Sequence, residues 1–150
     1  MNKRQKGFSL IELLIVVAII LIIAAIAIPN LLRSKMAANE ASAVGSLRTI
    51  NTASVAFSIS YGMYETNLSN LQKSGAVSSA AADLIDSVLA TGTKSGYTFS
   101  YTTSNNLGYT ITASPTNPGT TGQRYFYTDQ SGVIRVDPAA VATSSSTPLS

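Results

Sequence analysis

The sequence predicts an α+β chain: a long N-terminal α-helix, transmembrane in its first half and amphipathic in its second, packed against a small four-stranded antiparallel sheet. Three observations point there. Residues Phe8 to Ile28 form an apolar run of 21 residues interrupted only by Ser9 and Glu12. Ala43, Leu47, Ile50, Ser54, Phe57 and Tyr61 then recur at spacings of four and three, the stripe of a helix that packs on something. After Gly96 the apolar period changes to two, as on a strand with one buried face. At 150 residues the chain suits one compact core plus the N-terminal segment.

The apolar run is long enough for a bilayer. At a rise of ~1.5 Å per residue it extends roughly 32 Å, against a hydrocarbon core of ~30 Å. Lys3, Arg4 and Lys6 all precede Phe8 while no acid does, and the remaining seven cations and seven acids balance, so the net +3 belongs to the first seven residues. That placement orients a membrane segment with its N-terminus on the cytoplasmic side, and it gives no ground for nucleic-acid binding. A secretory signal peptide or plain signal anchor is the simplest reading, and Ala24, Ala25 and Ala27 offer small residues for a cleavage site. It leaves Glu12 unexplained, since a carboxylate at a helix centre costs about 2.5–3.5 kcal/mol on insertion and less near the interface. An ionisable group in such a segment calls for a functional partner.

Lys6, Gly7, Phe8, Ser9, Leu10, Ile11 and Glu12 resemble the class III signal of type IV pilins and pseudopilins: a short basic leader ending in glycine, then phenylalanine, then a glutamate at the start of an uninterrupted apolar helix. Pro29 falls where that family often has a helix-bending proline, and Ser9 departs conservatively from the commoner threonine. The resemblance implies that a prepilin peptidase cuts between Gly7 and Phe8 and that the new Phe8 amine is N-methylated. It divides the chain into a cleaved leader (1–7), a transmembrane and filament-core segment (8–29), a globular head (30–138) and a flexible C-terminal tail (139–150). It also implies a partner for Glu12, the Phe8 amine of a neighbouring subunit. In a filament core that excludes water, a lone amine and a lone carboxylate are each costly, so a subunit in the wrong axial register is penalised. Pro29 removes one helical hydrogen bond and is expected to allow a kink or loosened turn over Ala24 to Pro29, depending on whether the subunit is free or assembled.

The remaining elements follow in order. The helix is expected from near Ser9 to about Ser60. Asn67 before Leu68 and Leu71, ending at Gly75, suggests a short capped turn. A second short helix is expected from about Ala80 to Ala90, burying Leu84, Ile85, Val88 and Leu89. Tyr97, Phe99 and Tyr101 alternate with polar residues, and after a turn at Ser104 to Gly108 the pattern resumes in Tyr109, Ile111 and Ala113, giving a hairpin. Residues 115–122, SPTNPGTTG with the preceding serine, read as a surface loop. Arg124 to Thr128 and Val133 to Val136 form a second hairpin across Asp129 to Gly132. The tail, PAAVATSSSTPLS, reads as frayed, with Ser144 to Thr147 as candidate sugar acceptors.

The residue inventory disfavours an enzyme. Cysteine, histidine and tryptophan are absent, so no disulfide, zinc site, or His- or Cys-based catalysis is available, and nothing resembles a nucleophile elbow or phosphate loop. No cofactor or catalytic residue is expected. Asp129 and Asp137 suggest a calcium site like that of major pseudopilins, but DQSG without tryptophan departs from that signature, and no metal site is expected. The aromatic set Phe57, Tyr61 and Tyr64 reads as core against the sheet rather than as an electron path. The function expected is a filament subunit, polymerising with its own copies through an inner-membrane assembly platform and its ATPase, and serving adhesion, twitching or DNA uptake. The alternatives are a pseudopilin of a type II secretion system, spanning the periplasm, and a signal-anchored protein presenting a small binding domain. The protein is expected in the inner membrane before assembly and in an extracellular filament afterwards.

Overall fold

A computed structural model describes residues 7–72, 82–104 and 107–149. Contacts divide the chain into two compact units, Met1–Ser34 and Lys35–Ser150. One helix, α1 (Leu10–Tyr61), contributes to both, matching the span expected from hydrophobic periodicity. Residues 1–6 of the leader, the glycine expected to end the first turn (Gly75), the start of the second short helix (Ala80) and Asn105–Asn106 of the hairpin turn lie outside the described residues.

In the first unit α1 carries its apolar side chains outward. Each Leu, Ile and Val from Leu10 to Leu32 is solvent-exposed, and the most apolar 18-residue window has a mean hydropathy of 3.3 with no residue buried. By length and composition this helix can cross a membrane. Pro29 lies inside α1, and the helix is continuous through Ala24–Pro29. Proline has no N–H to offer the Ala25 carbonyl. One residue on, the Asn30 side chain donates to the Ile26 carbonyl at 3.1 Å, adding a bond in the turn where proline removes one.

The second unit has a single hydrophobic core between α1 and a sheet. Ala43, Leu47, Ile50 and Phe57, all on the expected stripe, are buried against Tyr97, Tyr109, Ile111 and Phe126. A 3₁₀ turn (Leu68–Leu71) follows α1, capped as expected by Asn67, whose side chain accepts the Asn70 N–H at 3.2 Å. The second helix is shorter than expected, a single turn, α2 (Ser87–Ala90). Asp86 sets its start by accepting the Leu89 N–H at 2.9 Å, and before it Leu84 and Ile85 lie outside any helix and donate to the Leu71 carbonyl. A short acid that caps competes with helix continuation. Ile85 and Leu89 are buried as expected, whereas Leu84 and Val88 are exposed.

The sheet has six strands rather than four, in the sequential antiparallel order β1 (Thr93–Lys94), β2 (Tyr97–Ser104), β3 (Gly108–Pro115), β4 (Tyr125–Asp129), β5 (Arg135–Asp137) and β6 (Thr147–Pro148). The four longer strands are the two predicted hairpins. The additional two are two residues long, too short for a period-two pattern to register in sequence. β3 alternates without a fault, with Tyr109, Ile111, Ala113 and Pro115 inward. β5 begins later than expected because Val133 and Ile134 belong to the turn, where the Ile134 carbonyl accepts the Leu149 N–H at 2.8 Å. That bond bears on the tail, expected to be frayed. Its end returns to the sheet as β6 on β5, Ala142 is buried, and Arg135 Nη1 donates to the Ser146 carbonyl at 3.0 Å.

A candidate processing and assembly segment

The residues singled out by sequence sit together where α1 begins. Gly7, Phe8 and Ser9 are non-helical and exposed, and α1 starts at Leu10. The Gly7–Phe8 peptide bond is thus outside the helix, with Phe8 82% exposed. Glu12 lies in the first turn, and its Oε2 accepts the Ser9 backbone N–H at 2.9 Å. This is half of a capping box, in which an acid three residues into a helix satisfies an N–H that has no intrahelical partner. The carboxylate also faces the positive end of the helix dipole. The pattern Ser-x-x-Glu before an apolar run was the available signal for this bond, and sequence reasoning that looked to Glu12 only for an intersubunit partner passed over it.

Two other expected features resolve into structural roles. Asp129 accepts the Ser131 N–H at 2.9 Å and Asp137 accepts those of Ala139 and Ala140, both at 3.0 Å, so each carboxylate organises a turn. Backbone donation holds the carboxyl of Asp137 below the usual carboxylate range; at Asp129 partial burial pushes the other way but is outweighed by bonds from Ser131 and Tyr127. Among the described residues no group of three His, Cys, Asp or Glu is placed to hold a metal ion. Phe57 is buried and Tyr61 and Tyr64 pack on the core, with ring centroids 4.6 Å apart for Phe57–Tyr61 and 4.9 Å for Tyr64–Tyr109.

The head also contains an anchor that sequence reasoning did not single out. Glu40, nearly buried on α1, accepts the backbone N–H groups of Gln123 and Arg124 at 2.9 and 3.2 Å and the Arg124 guanidinium at 2.7 Å. Asn39 beside it donates to the Thr121 carbonyl at 2.7 Å. Together they clamp the Pro- and Gly-rich loop after β3 onto α1. Burial alone would raise the Glu40 carboxyl, but the Gln123 and Arg124 donors outweigh it and hold it below its usual value. Glu40 stands three residues before Ala43, on the extension of the buried stripe, and that spacing was its signal. Tyr97 completes the corner: its buried ring carries a hydroxyl that donates to the Arg124 carbonyl at 2.8 Å, and a Cβ at Gly122 would lie 2.1 Å from that hydroxyl oxygen.

The chain thus presents an exposed apolar helix, entered through a non-helical Gly–Phe–Ser and carrying one acid in its first turn, and also folds a small α+β head. A family model described as the prokaryotic N-terminal methylation motif matches residues 2–28. The chain is 48% identical over 56 residues to the type IV major pilin protein PilA of Myxococcus xanthus, covering 37% of this chain and 26% of that protein. It is 60% identical over 38 residues to the type IV wide pilus major component PilA4 of Thermus thermophilus, covering 25% of this chain and 29% of the relative. The chain thus carries a prokaryotic N-terminal methylation motif and is similar over part of its length to two type IV major pilus proteins. The matched stretches span little more than a quarter of those relatives' lengths.

Proposed function

We propose that this chain is the structural subunit of a type IV pilus-like filament. The observation that carries the reading is the apolar half of α1, uncovered over its whole length and preceded by a Gly7–Phe8 peptide bond that lies outside the helix. In this reading a prepilin peptidase hydrolyses that bond, leaving the leader with a Gly7 carboxylate and the subunit with a Phe8 amine, which is then N-methylated. The cleaved subunit waits in the inner membrane, anchored by α1 with its head outside. An ATPase-driven assembly platform moves it from lipid into a filament core of packed helices.

Glu12 then exchanges partners. In the precursor its carboxylate caps its own helix through the Ser9 N–H. In the filament it pairs with the Phe8 amine of a neighbouring copy, and since neither charge is tolerated alone in a dry core, the pair fixes axial register. Pro29 marks where α1 can loosen on assembly, because its missing N–H leaves the Ala25 carbonyl without its helical donor. Such a filament supports adhesion, twitching or DNA uptake. Both matched relatives are named as major pilus components, which favours a pilus over a type II secretion pseudopilin.

Mass analysis of the mature N-terminus tests the reading. A chain that begins with N-methylated Phe8 is expected. A membrane-bound chain that keeps residues 1–7 would make it a signal-anchored protein with a small exposed domain and end the filament reading.

A further inference from the structure

Asn67, Leu68 and Ser69 read Asn-x-Ser with a residue other than proline in the middle, and of the nine asparagines in the chain only Asn67 opens such a tripeptide. The pattern is the acceptor of N-linked sugars in chains carried out of the cytoplasm, where the asparagine has to lie on an exposed segment. Three residues recur by chance, so the surroundings decide whether the pattern is usable. Asn67 and Ser69 are exposed, in the connection between α1 and α2, while Leu68 between them is buried in the core and anchors the tripeptide. The Asn67 Oδ1 accepts both the Ser69 hydroxyl and, at 3.2 Å, the Asn70 N–H. The hydroxyl two residues on is thus already seated on the asparagine side chain. Nδ2 keeps one long contact, 3.4 Å to Thr66 Oγ1. The amide oxygen is engaged and the amide nitrogen is left to the solvent side; donation to the oxygen also draws electron density from the amide and favours release of an Nδ2 proton.

A groove of about 320 Å³ opens beside this side chain, the size of a small ligand cleft. Asn67 and Ser69 form part of its lining, and Thr91, Gly92, Phe99 and Ser100 form another part. Thr91 and Ser100 are exposed, and Thr91 Oγ1, which donates to the Val88 carbonyl at 2.7 Å, keeps its lone pairs for an incoming donor. Hydroxyls and a glycine next to Asn67 give the hydroxyls of a sugar ring hydrogen-bond partners with no large side chain between them.

We propose that Asn67 is a site of N-linked glycosylation, with the first sugar lying along the groove toward Thr91 and Ser100. The donor is a sugar carried on a membrane lipid through pyrophosphate. Asn67 Nδ2 attacks the anomeric carbon and forms a C–N bond. The bond from that carbon to the pyrophosphate oxygen breaks, the lipid pyrophosphate leaves with the electron pair, and one Nδ2 proton passes to the transferase. Nothing is oxidised or reduced. The site requires a head outside the cytoplasm, the side to which Lys3, Arg4 and Lys6 direct it. That placement is common to the filament reading and to the signal-anchored alternative.

Mass spectrometry of the full chain taken from its native cells tests the site, since those cells hold the transferase and lipid-linked sugar that the chain meets. The tryptic peptide of residues 49–73 is expected to carry one or more sugar residues, assigned to Asn67 by fragmentation that spares the glycosidic bond. Asn67→Asp removes the attacking nitrogen but keeps an oxygen to accept the Asn70 N–H. It is expected to lose the sugar while near-ultraviolet circular dichroism of the detergent-solubilised chain keeps its native tyrosine signal. Ser69→Ala is expected to lose the sugar as well, and Ser69→Thr to retain it. An unmodified peptide overturns the site. So does a sugar that survives Asn67→Asp, which would place it on a hydroxyl, or one that survives Ser69→Ala. The mass of the N-terminus in the same sample separates this outcome from the filament reading. Unmodified Asn67 in chains that begin with N-methylated Phe8 overturns the glycosylation site alone, and modified Asn67 in chains that keep residues 1–7 overturns the filament reading alone.

Discussion

Glu12 and Glu40 are both carboxylates on α1, and their surroundings assign them different work. Glu12 has one neutral donor, the Ser9 N–H, at an exposed helix start, so its bond is exchangeable. Glutamine keeps an acceptor for that N–H but cannot neutralise an amine. Glu12→Gln and Glu12→Ala are therefore both expected to be cleaved after Gly7, and both to lower filament yield by about tenfold or more, because an unpaired amine in a dry core costs several kcal/mol and ~1.4 kcal/mol is already a factor of ten. The ratio of sheared filament to processed cell-bound subunit measures it, and a normal yield from Glu12→Gln would remove charge pairing as the register device. Glu40 is fixed by three donors from one loop. Its carboxyl is held below the usual 4.5, so its contribution is complete above the unfolded-state value and is lost as pH falls through the folded-state value. Glu40→Ala is expected to destabilise the head by about 2 kcal/mol near neutral pH, since it orphans two backbone N–H groups and a guanidinium. That deficit should shrink as the wild type is titrated below pH ~4, which thermal unfolding at a series of pH values would show. A deficit constant down to pH ~2 would mean that Glu40 acts by packing alone.

The C-terminal segment shows how an element can be decided by its partner. Nothing in ATSSSTPLS has strand periodicity, and its proline would be excluded from a central strand. As an edge strand of two residues it needs no pattern, only the open side of β5 and a place for Leu149, which packs against the core. The edge is closed by a short strand containing Pro148, a conventional protection against pairing with other chains. Deleting residues 144–150 removes the β5–β6 ladder, the Leu149–Ile134 bond and the Arg135–Ser146 bond. A loss of about 1–2 kcal/mol is expected, which for a domain of this size lowers Tm by about 5–10 °C. Hydrogen exchange should localise the loss to Arg135–Asp137. Unchanged protection there would show that β6 contributes nothing to β5.

At the scale of the molecule, what sequence revealed and what it hid follow from period and length. The apolar run, the buried stripe from Ala43 to Tyr61 and the alternation in β2 and β3 each repeat often enough to be read without a structure. The candidate segment stood out in sequence for the same reason: Gly7, Phe8 and Glu12 stand in fixed relation to the longest apolar run in the chain. The single-turn α2, the two-residue strands and the Glu40 clamp depend on contacts between residues far apart, such as Glu40 with Gln123, and local pattern does not encode those. The division into two units has a consequence of its own. Among the described residues all the buried apolar side chains lie from Ala43 onward, and the unit Lys35–Ser150 contains every described strand and the whole core. Among the described residues the apolar half of α1 thus contributes no buried apolar side chain. A chain of residues 35–150 is expected to be soluble without detergent, monomeric by sedimentation, and to unfold within a few degrees of the full-length chain in mild detergent. The full-length chain without detergent should instead sediment as assemblies, because the exposed Leu, Ile and Val side chains from Leu10 to Leu32 on one helix exceed what a soluble monomer leaves uncovered. If the 35–150 chain is unfolded or aggregated, the first unit supports the head through contacts beyond that core, and the separation of anchor from head is wrong.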